Sequence, residues 1–203
     1  TICGTYYISL NDAKAPFDNV NIRKALSLAI DREYVANTIM QGTYSPAYNF
    51  MGPGWMDAAG TQFMDNANNG ELYISEDYAA NLEEAKRLLT EAGYPNGEGL
   101  PAITYSTNDS GYHKPVAEYL QQAWSELGID VTVEVVEWAS FTPMRRQGDY
   151  MAARNGWVGD YSDPSNMLEL LYSTNGNNDG KYNNPEFDAA IESSRTTTDE
   201  AAR

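Results

Sequence analysis

From residue 81 to residue 157 the sequence alternates between a helical and a strand period, and this restricts the chain to few folds. Leu82, Ala85, Leu88, Leu89 and Ala92 fall on one helix face, with Asn81-x-x-Glu84 as a capping box and Gly93 as the stop. Ile103 to Ser106 reads as a strand. His113 to Leu127 reads as a helix with Val116, Leu120, Ala123, Trp124 and Leu127 on its apolar side, and Trp124 is expected in the core. Residues 129–135 (Ile-Asp-Val-Thr-Val-Glu-Val) alternate apolar and polar, the pattern of a half-buried strand. A short helix over about Phe141 to Gln147 and a strand over Met151 to Trp157 follow. Strands separated by helices imply βαβ units, so the fold class is α/β, with a mixed, largely parallel sheet flanked by helices.

The flanks are less regular. Tyr6 to Leu10 is a short β-type run, and Pro16-Phe17-Asp18 is a turn. Ile22, Ala25, Leu26, Ala29 and Ile30 mark a helix face, and Asp31 is a good cap for a second helix running to about Met40 and closed by Gly42. Residues 43–75 are a long irregular loop region, broken by Pro46, Gly52, Pro53, Gly54, Gly60 and Gly70. Long loops are uncommon in compact domains unless they serve a site or are mobile. Helices at Asn166–Tyr172 and Glu186–Arg195 close the chain.

Charge and composition exclude several functions. With 13 Lys+Arg against 29 Asp+Glu the net charge is −16, which repels nucleic-acid phosphates. A single Cys and a single His leave no disulfide, thiolate cage or multi-histidine centre, so no metal or cofactor is expected. No apolar run has membrane-helix length. The polar start at Thr1 shows no leader, and the sequence stops in a polar stretch; both ends read as cuts in a longer protein, whose export signal would lie upstream.

Basic residues are scarce, yet Arg145, Arg146 and Arg154 fall close together, flanked by Trp138 and Trp157 and followed by Asp160 and Asp163. Residues 154–164 lie where a strand hands over to a loop, the usual place for ligands in α/β sheets. Gly156 and Gly159 permit close backbone approach, Trp157 offers a flat wall, and Asp160 offers a carboxylate for an ammonium group. The same residues also fit a plain turn, with the aspartates as caps, Pro164 opening a helix and the arginines in surface ion pairs.

A resemblance bears on that choice. Asn11-x-x-x-x-Pro16-Phe17-Asp18, Val20-Asn21-Ile22-Arg23-Lys24-Ala25-Leu26 and Ala29-Ile30-Asp31-Arg32 are similar to the signature region of family 5 extracellular solute-binding proteins, the oligopeptide- and dipeptide-binding components of ABC importers. Glu91-Ala92-Gly93-Tyr94, Leu127-Gly128-Ile129, Trp157-x-x-Asp160-Tyr161-x-Asp163-Pro164, Tyr182-x-Asn184-Pro185-x-x-Asp188 and Asp199-x-x-x-Arg203 follow in the family's order. The resemblance implies a periplasmic-binding-protein-like lobe (type II, cluster C) over residues 1–203, the lobe after the hinge of a two-lobed protein that closes on its ligand.

It also implies site roles. Asp160 matches the carboxylate that meets a peptide α-amino group. Trp157 and Trp138 match aromatic walls, and the backbone around Asn155 to Val158, with Gly156 and Val158, would pair with the peptide as an added strand. Arg145, Arg154 and His113 sit where such proteins place groups that meet the peptide carboxylate. The implied partners are a peptide ligand and ABC permease subunits. The protein would be a monomer at the extracellular face or in the periplasm, associated with the membrane only peripherally through its full length. Family members also bind nickel chelates, haem and sugars.

Other readings compete. His113 equally suits a surface helix start. Cys3 reads as an incidental free thiol. Asn175-x-Asn177-x-Asp179-Gly180, with Glu186 after it, fits a relaxed EF-hand loop but supplies two carboxylates, a poor calcium site. A carbohydrate-acting enzyme is the rival class, because aromatic residues and acids are frequent. No Gly-x-Ser-x-Gly elbow or nucleotide loop appears.

Overall fold

The computed structural model describes residues 3–203; Thr1 and Ile2, part of the polar start noted above, lie outside the described residues. The strands are β1 (Gly4–Leu10), β2 (Ile103–Thr107), β3 (Val131–Val135) and β4 (Ala152–Val158). They form one four-stranded sheet in the order β1-β4-β2-β3. β2 lies parallel to β3 and to β4, as the βαβ pattern requires, whereas β1 runs antiparallel to β4 from Gly4 opposite Val158 to Leu10 opposite Ala152.

The helices are α1 (Val20–Leu28), α2 (Arg32–Tyr34), α3 (Phe63–Asn66), α4 (Tyr78–Glu91), α5 (His113–Ser125), α6 (Trp138–Gln147), α7 (Ser165–Leu168) and α8 (Pro185–Thr196). α1 buries Ile22, Ala25 and Leu26, and the Asn19 side chain caps it by accepting from the Asn21 amide. α5 buries Val116, Ala117, Leu120, Ala123 and Trp124. The Trp124 indole donates to the Leu26 carbonyl at 3.0 Å, so its polar end is satisfied in the core and ties α5 to the end of α1. The main core gathers α1, α4 and α5 on the sheet around Ile103, Tyr105 and Ala152.

Three elements differ from expectation. α4 starts at Tyr78, capped by Asp77, whose carboxylate accepts from the Ala80 amide; Asn81 lies inside the helix and donates to the Ser75 carbonyl at 2.7 Å instead of capping. Either residue type caps well, and the one preceding a full extra turn of helix wins. The second helix keeps its Asp31 cap, but after three residues it widens into a π-turn over Val35–Ile39. Val35, Thr38 and Ile39 are β-branched and crowd a tight helix. α6 begins at Trp138, upstream of the apolar pattern, because Trp138, Ala139 and Ser140 are solvent-facing and leave no periodic trace.

The 43–75 region is largely irregular, as expected, yet it carries a core of its own. Met51 and Trp55 are buried against Met167 and Leu170, with Phe50, Phe63, Met64 and Trp157 packed around them. The half-buried free thiol of Cys3 belongs to the same cluster. A third cluster, Phe141, Tyr150 and Ala153, fills the space between α6 and the sheet.

Candidate functional site

β4 is longer than the strand beside it. β2 pairs with it only at Tyr105–Ala152 and Ser106–Ala153, so beyond the Arg154 amide one edge of β4 has no neighbouring strand among the described residues. The ladder with β1 fixes which groups face that edge. The Asn11 amide donates to Met151 O, and the Gly159 amide to Cys3 O, both at 2.9 Å. Antiparallel bonding alternates by residue. Odd-numbered residues of β4 therefore bond to β1, and the amides and carbonyls of Arg154, Gly156 and Val158 turn outward.

Beside this edge lies an open concavity of about 660 Å³, lined by Asn108, Asp109, Ser110, His113, Val135, Val136, Glu137, Trp138 and Arg154. It sits at the carboxyl ends of β2 and β3, in the crevice where α/β sheets bind ligands. The first turns of α5 and α6 open onto it. Neither has a side-chain cap, and both turn the positive end of a helix dipole toward it. In α5 the His113 amide is already bonded to Ser110 O and Pro115 has no N–H, so the first turn of α6 is the better donor.

Arg154 is the cation of this hollow. Its guanidinium lies 5.4 Å from the Trp138 ring centre and 5.9 Å from that of Tyr6, and its Nε donates to Asn108 Oδ1 at 3.1 Å. It makes no salt bridge among the described residues. Burial pulls its pKa down, the nearby Tyr6 phenol opposing, yet an arginine stays charged. The result is a half-buried cation held by rings and an amide, with its charge uncompensated.

His113 stands beside it. Its Nδ1 lies 3.0 Å from the Tyr6 hydroxyl, and the tautomer sets which group donates. Burial, and then the Arg154 charge, push its pKa from 6.5 down to about 4. At neutral pH it is a neutral hydrogen-bonding group, not a second cation. Tyr6 is itself pushed up by burial and remains a phenol.

The structure brings His113, Trp138 and Arg154 together and sets the other expected residues elsewhere. Gly156 and Val158 lie on the open edge, Val158 with 58% of its surface exposed. Trp157 faces the other way: its indole donates to Asn166 Oδ1 at 2.8 Å and its ring joins the second core, so it supports the strand's end. The Asp160 carboxylate is exposed just beyond β4 and has no side-chain partner among the described residues. Asp163 follows the plain turn reading. It pairs with Arg203 at 2.7 Å, which holds its carboxyl at about 2, and it accepts from the Ser165 amide at the start of α7.

Arg145 departs from its expected place in the lining. It is buried, its Nε donates to Asp179 Oδ2 at 2.8 Å, and its Nη1 donates to the Arg154 carbonyl at 2.8 Å. Its charge is met inside the fold, so it braces β4 from behind. The same pairing removes Asp179 from the EF-hand reading, while Glu186 lies exposed at the start of α8.

Tyr6 and Asn108 are site residues not singled out from sequence. Asn108 directly follows β2, so the carboxyl-end rule alone would have found it. Tyr6 carries no such signal, because its role depends on β1 pairing with a strand about 150 residues away, with Tyr6 opposite Gly156.

Comparison with known proteins accords with this geometry. A family model described as bacterial extracellular solute-binding proteins, family 5 Middle, matches residues 2–179. The chain belongs to this family. It is 36% identical over 207 residues to the oligopeptide-binding protein OppA of Bacillus subtilis, aligning 100% of this chain with 36% of that protein. It is 37% identical over 194 residues to heme-binding protein A of Haemophilus influenzae, covering 91% of this chain and 32% of that one. The crystal structure of Haemophilus influenzae OppA in complex with RPPGFSPFR matches with a TM-score of 0.83 at 36% identity, over 100% of this chain and 38% of that chain. The family 5 fold, an α/β mixed sheet flanked by helices, is thus shared. The chain spans about a third of the length of these relatives.

Proposed function

We propose that this family 5 chain forms one lobe, residues 1–203, of a cleft that binds extended peptides without catalysis and delivers them to the permease subunits of an ABC importer. One observation carries the reading: a half-buried Arg154, with no carboxylate partner among the described residues, stands beside an open strand edge that ends near the exposed Asp160 carboxylate. An extended zwitterion matches that layout. Its backbone pairs with Gly156 and Val158 as an added strand, which gives affinity without side-chain selectivity. Its carboxylate meets Arg154 and His113 under Trp138, and its ammonium meets Asp160. Arg154 and Val158 lie about 13 Å apart at roughly 3.3 Å per residue, which suits peptides of about three to five residues. Arg145 enters this reading as the brace of β4. Closure of a second lobe would exclude water and strengthen both end contacts. The protein works as a monomer outside the cell membrane or in the periplasm.

A haem chelate is the second reading, favoured by the heme-binding relative and by a lone arginine under an aromatic ring, which suits a propionate. Native mass spectrometry of the full-length protein with a mixed tri- to pentapeptide library separates the two. Retention of many peptides is expected. Retention of none, with a Soret shift on adding haem, overturns the peptide reading.

A further inference from the structure

A buried polar network lies behind β4. Arg145, Asn155 and Asp179 are exposed by only 7%, 3% and 5%. Asp179 Oδ2 accepts from Arg145 Nε at 2.8 Å and from Asn155 Nδ2 at 3.0 Å, while Asp179 Oδ1 is buried with no partner among the described residues. Arginine grips a carboxylate best with two parallel bonds. Here the fork is split: one arm goes to Asp179 and the other to the Arg154 carbonyl, and a carboxylate oxygen is left bare as a result. Asn155 is divided in the same way. Its Nδ2 holds Ser9 Oγ and Asp179, and its Oδ1 accepts the Gly156 amide at 2.8 Å.

Both backbone groups taken by this network, the Arg154 carbonyl and the Gly156 amide, face the open edge. We infer that, if β4 receives a peptide strand as proposed above, Arg145, Asn155 and Asp179 are positioning residues that fix the frame in which it docks. With the Arg154 amide already bonded to the Ser106 carbonyl in the β2 ladder, these two occupied edge groups leave the Gly156 carbonyl and both main-chain groups of Val158 for the ligand. Ligand groups opposite the two spent positions gain nothing, so main-chain affinity is confined to the stretch facing Gly156 O and Val158, without contact to any ligand side chain.

The test uses the full-length protein and a tetrapeptide in which each amide is replaced in turn by an ester, removing one donor at a time. In the wild type, only the positions opposite free carbonyls lose affinity, each by roughly three- to tenfold. Arg145→Lys keeps a cation for Asp179 but lacks the second arm, which frees the Arg154 carbonyl. It is expected to make one previously insensitive ester position costly. A merely structural role would weaken every peptide by one common factor and leave the pattern as it was. Should Arg145→Lys not fold, amide exchange in the wild type decides: ligand is expected to slow the Val158 amide and to leave the Gly156 amide, already bonded, unchanged. An unaltered ester pattern in the variant, or new protection at Gly156 on binding, overturns the inference and leaves the peptide reading intact. Full affinity for every ester overturns the added-strand reading itself.

Discussion

Removing the Asp179 carboxylate tests whether Arg145 is a structural charge. Their side chains are 9% and 5% exposed and meet at 2.8 Å. Asp179→Ala leaves a guanidinium buried without its counterion, while Asn155 keeps Ser9 as an acceptor. Breaking such a pair on one side costs about 3–5 kcal/mol. Replacing both partners with apolar groups of similar size removes the penalty. The double variant Arg145→Met/Asp179→Leu then loses mainly the bond to the Arg154 carbonyl, about 1 kcal/mol. Urea unfolding followed by circular dichroism, with the m-value checked in each variant, measures all terms. The account requires a double variant more stable than Asp179→Ala by about 2 kcal/mol or more. A loss below about 1 kcal/mol in Asp179→Ala, or a double variant as unstable as the summed singles, refutes it.

The imidazole of His113 is expected to titrate near 4 by NMR. Because its folded pKa lies below the ordinary 6.5, the unfolded chain binds the extra proton, so its share of stability is complete above 6.5 and is lost as the pH falls toward 4. His113→Gln should flatten stability across that window, and a midpoint near 6.5 in the folded protein counts against the burial argument. Gly159→Ala drives a methyl into the Trp55 ring, in a cluster where Trp55 is 1% exposed. A loss of about 1–3 kcal/mol with a shifted tryptophan emission is expected; an unchanged melting temperature and spectrum would show that the loop core yields freely.

What could be read from the residues depended on how far each signal travels along the chain. The βαβ order, the Trp124 core position and the Asp31 cap rest on neighbours within a few residues, and all three stand in the structure. The α4 cap was misplaced by four positions, since Asp77 and Asn81 offer the same local chemistry. Arg145 could not be separated from Arg154 by sequence, because its partner Asp179 lies 34 residues away and only folding brings it close. Trp55 looked like part of a featureless excursion because its core partners, Met167 and Leu170, come from the far end of the chain. The open edge of β4 was implied by the family likeness. Its phase, which decides that Gly156 and Val158 face outward, follows only from the register with β1.

The central claim is that opposite charges at the two ends of an extended peptide are met by Asp160 and Arg154. Calorimetry on the full-length protein with one tetrapeptide in three forms, free, N-acetylated and C-amidated, tests it most directly. Each lost end charge forfeits a charge-assisted contact, so each capped form should bind at least about tenfold more weakly than the free peptide. Equal affinity for all three forms would contradict the account.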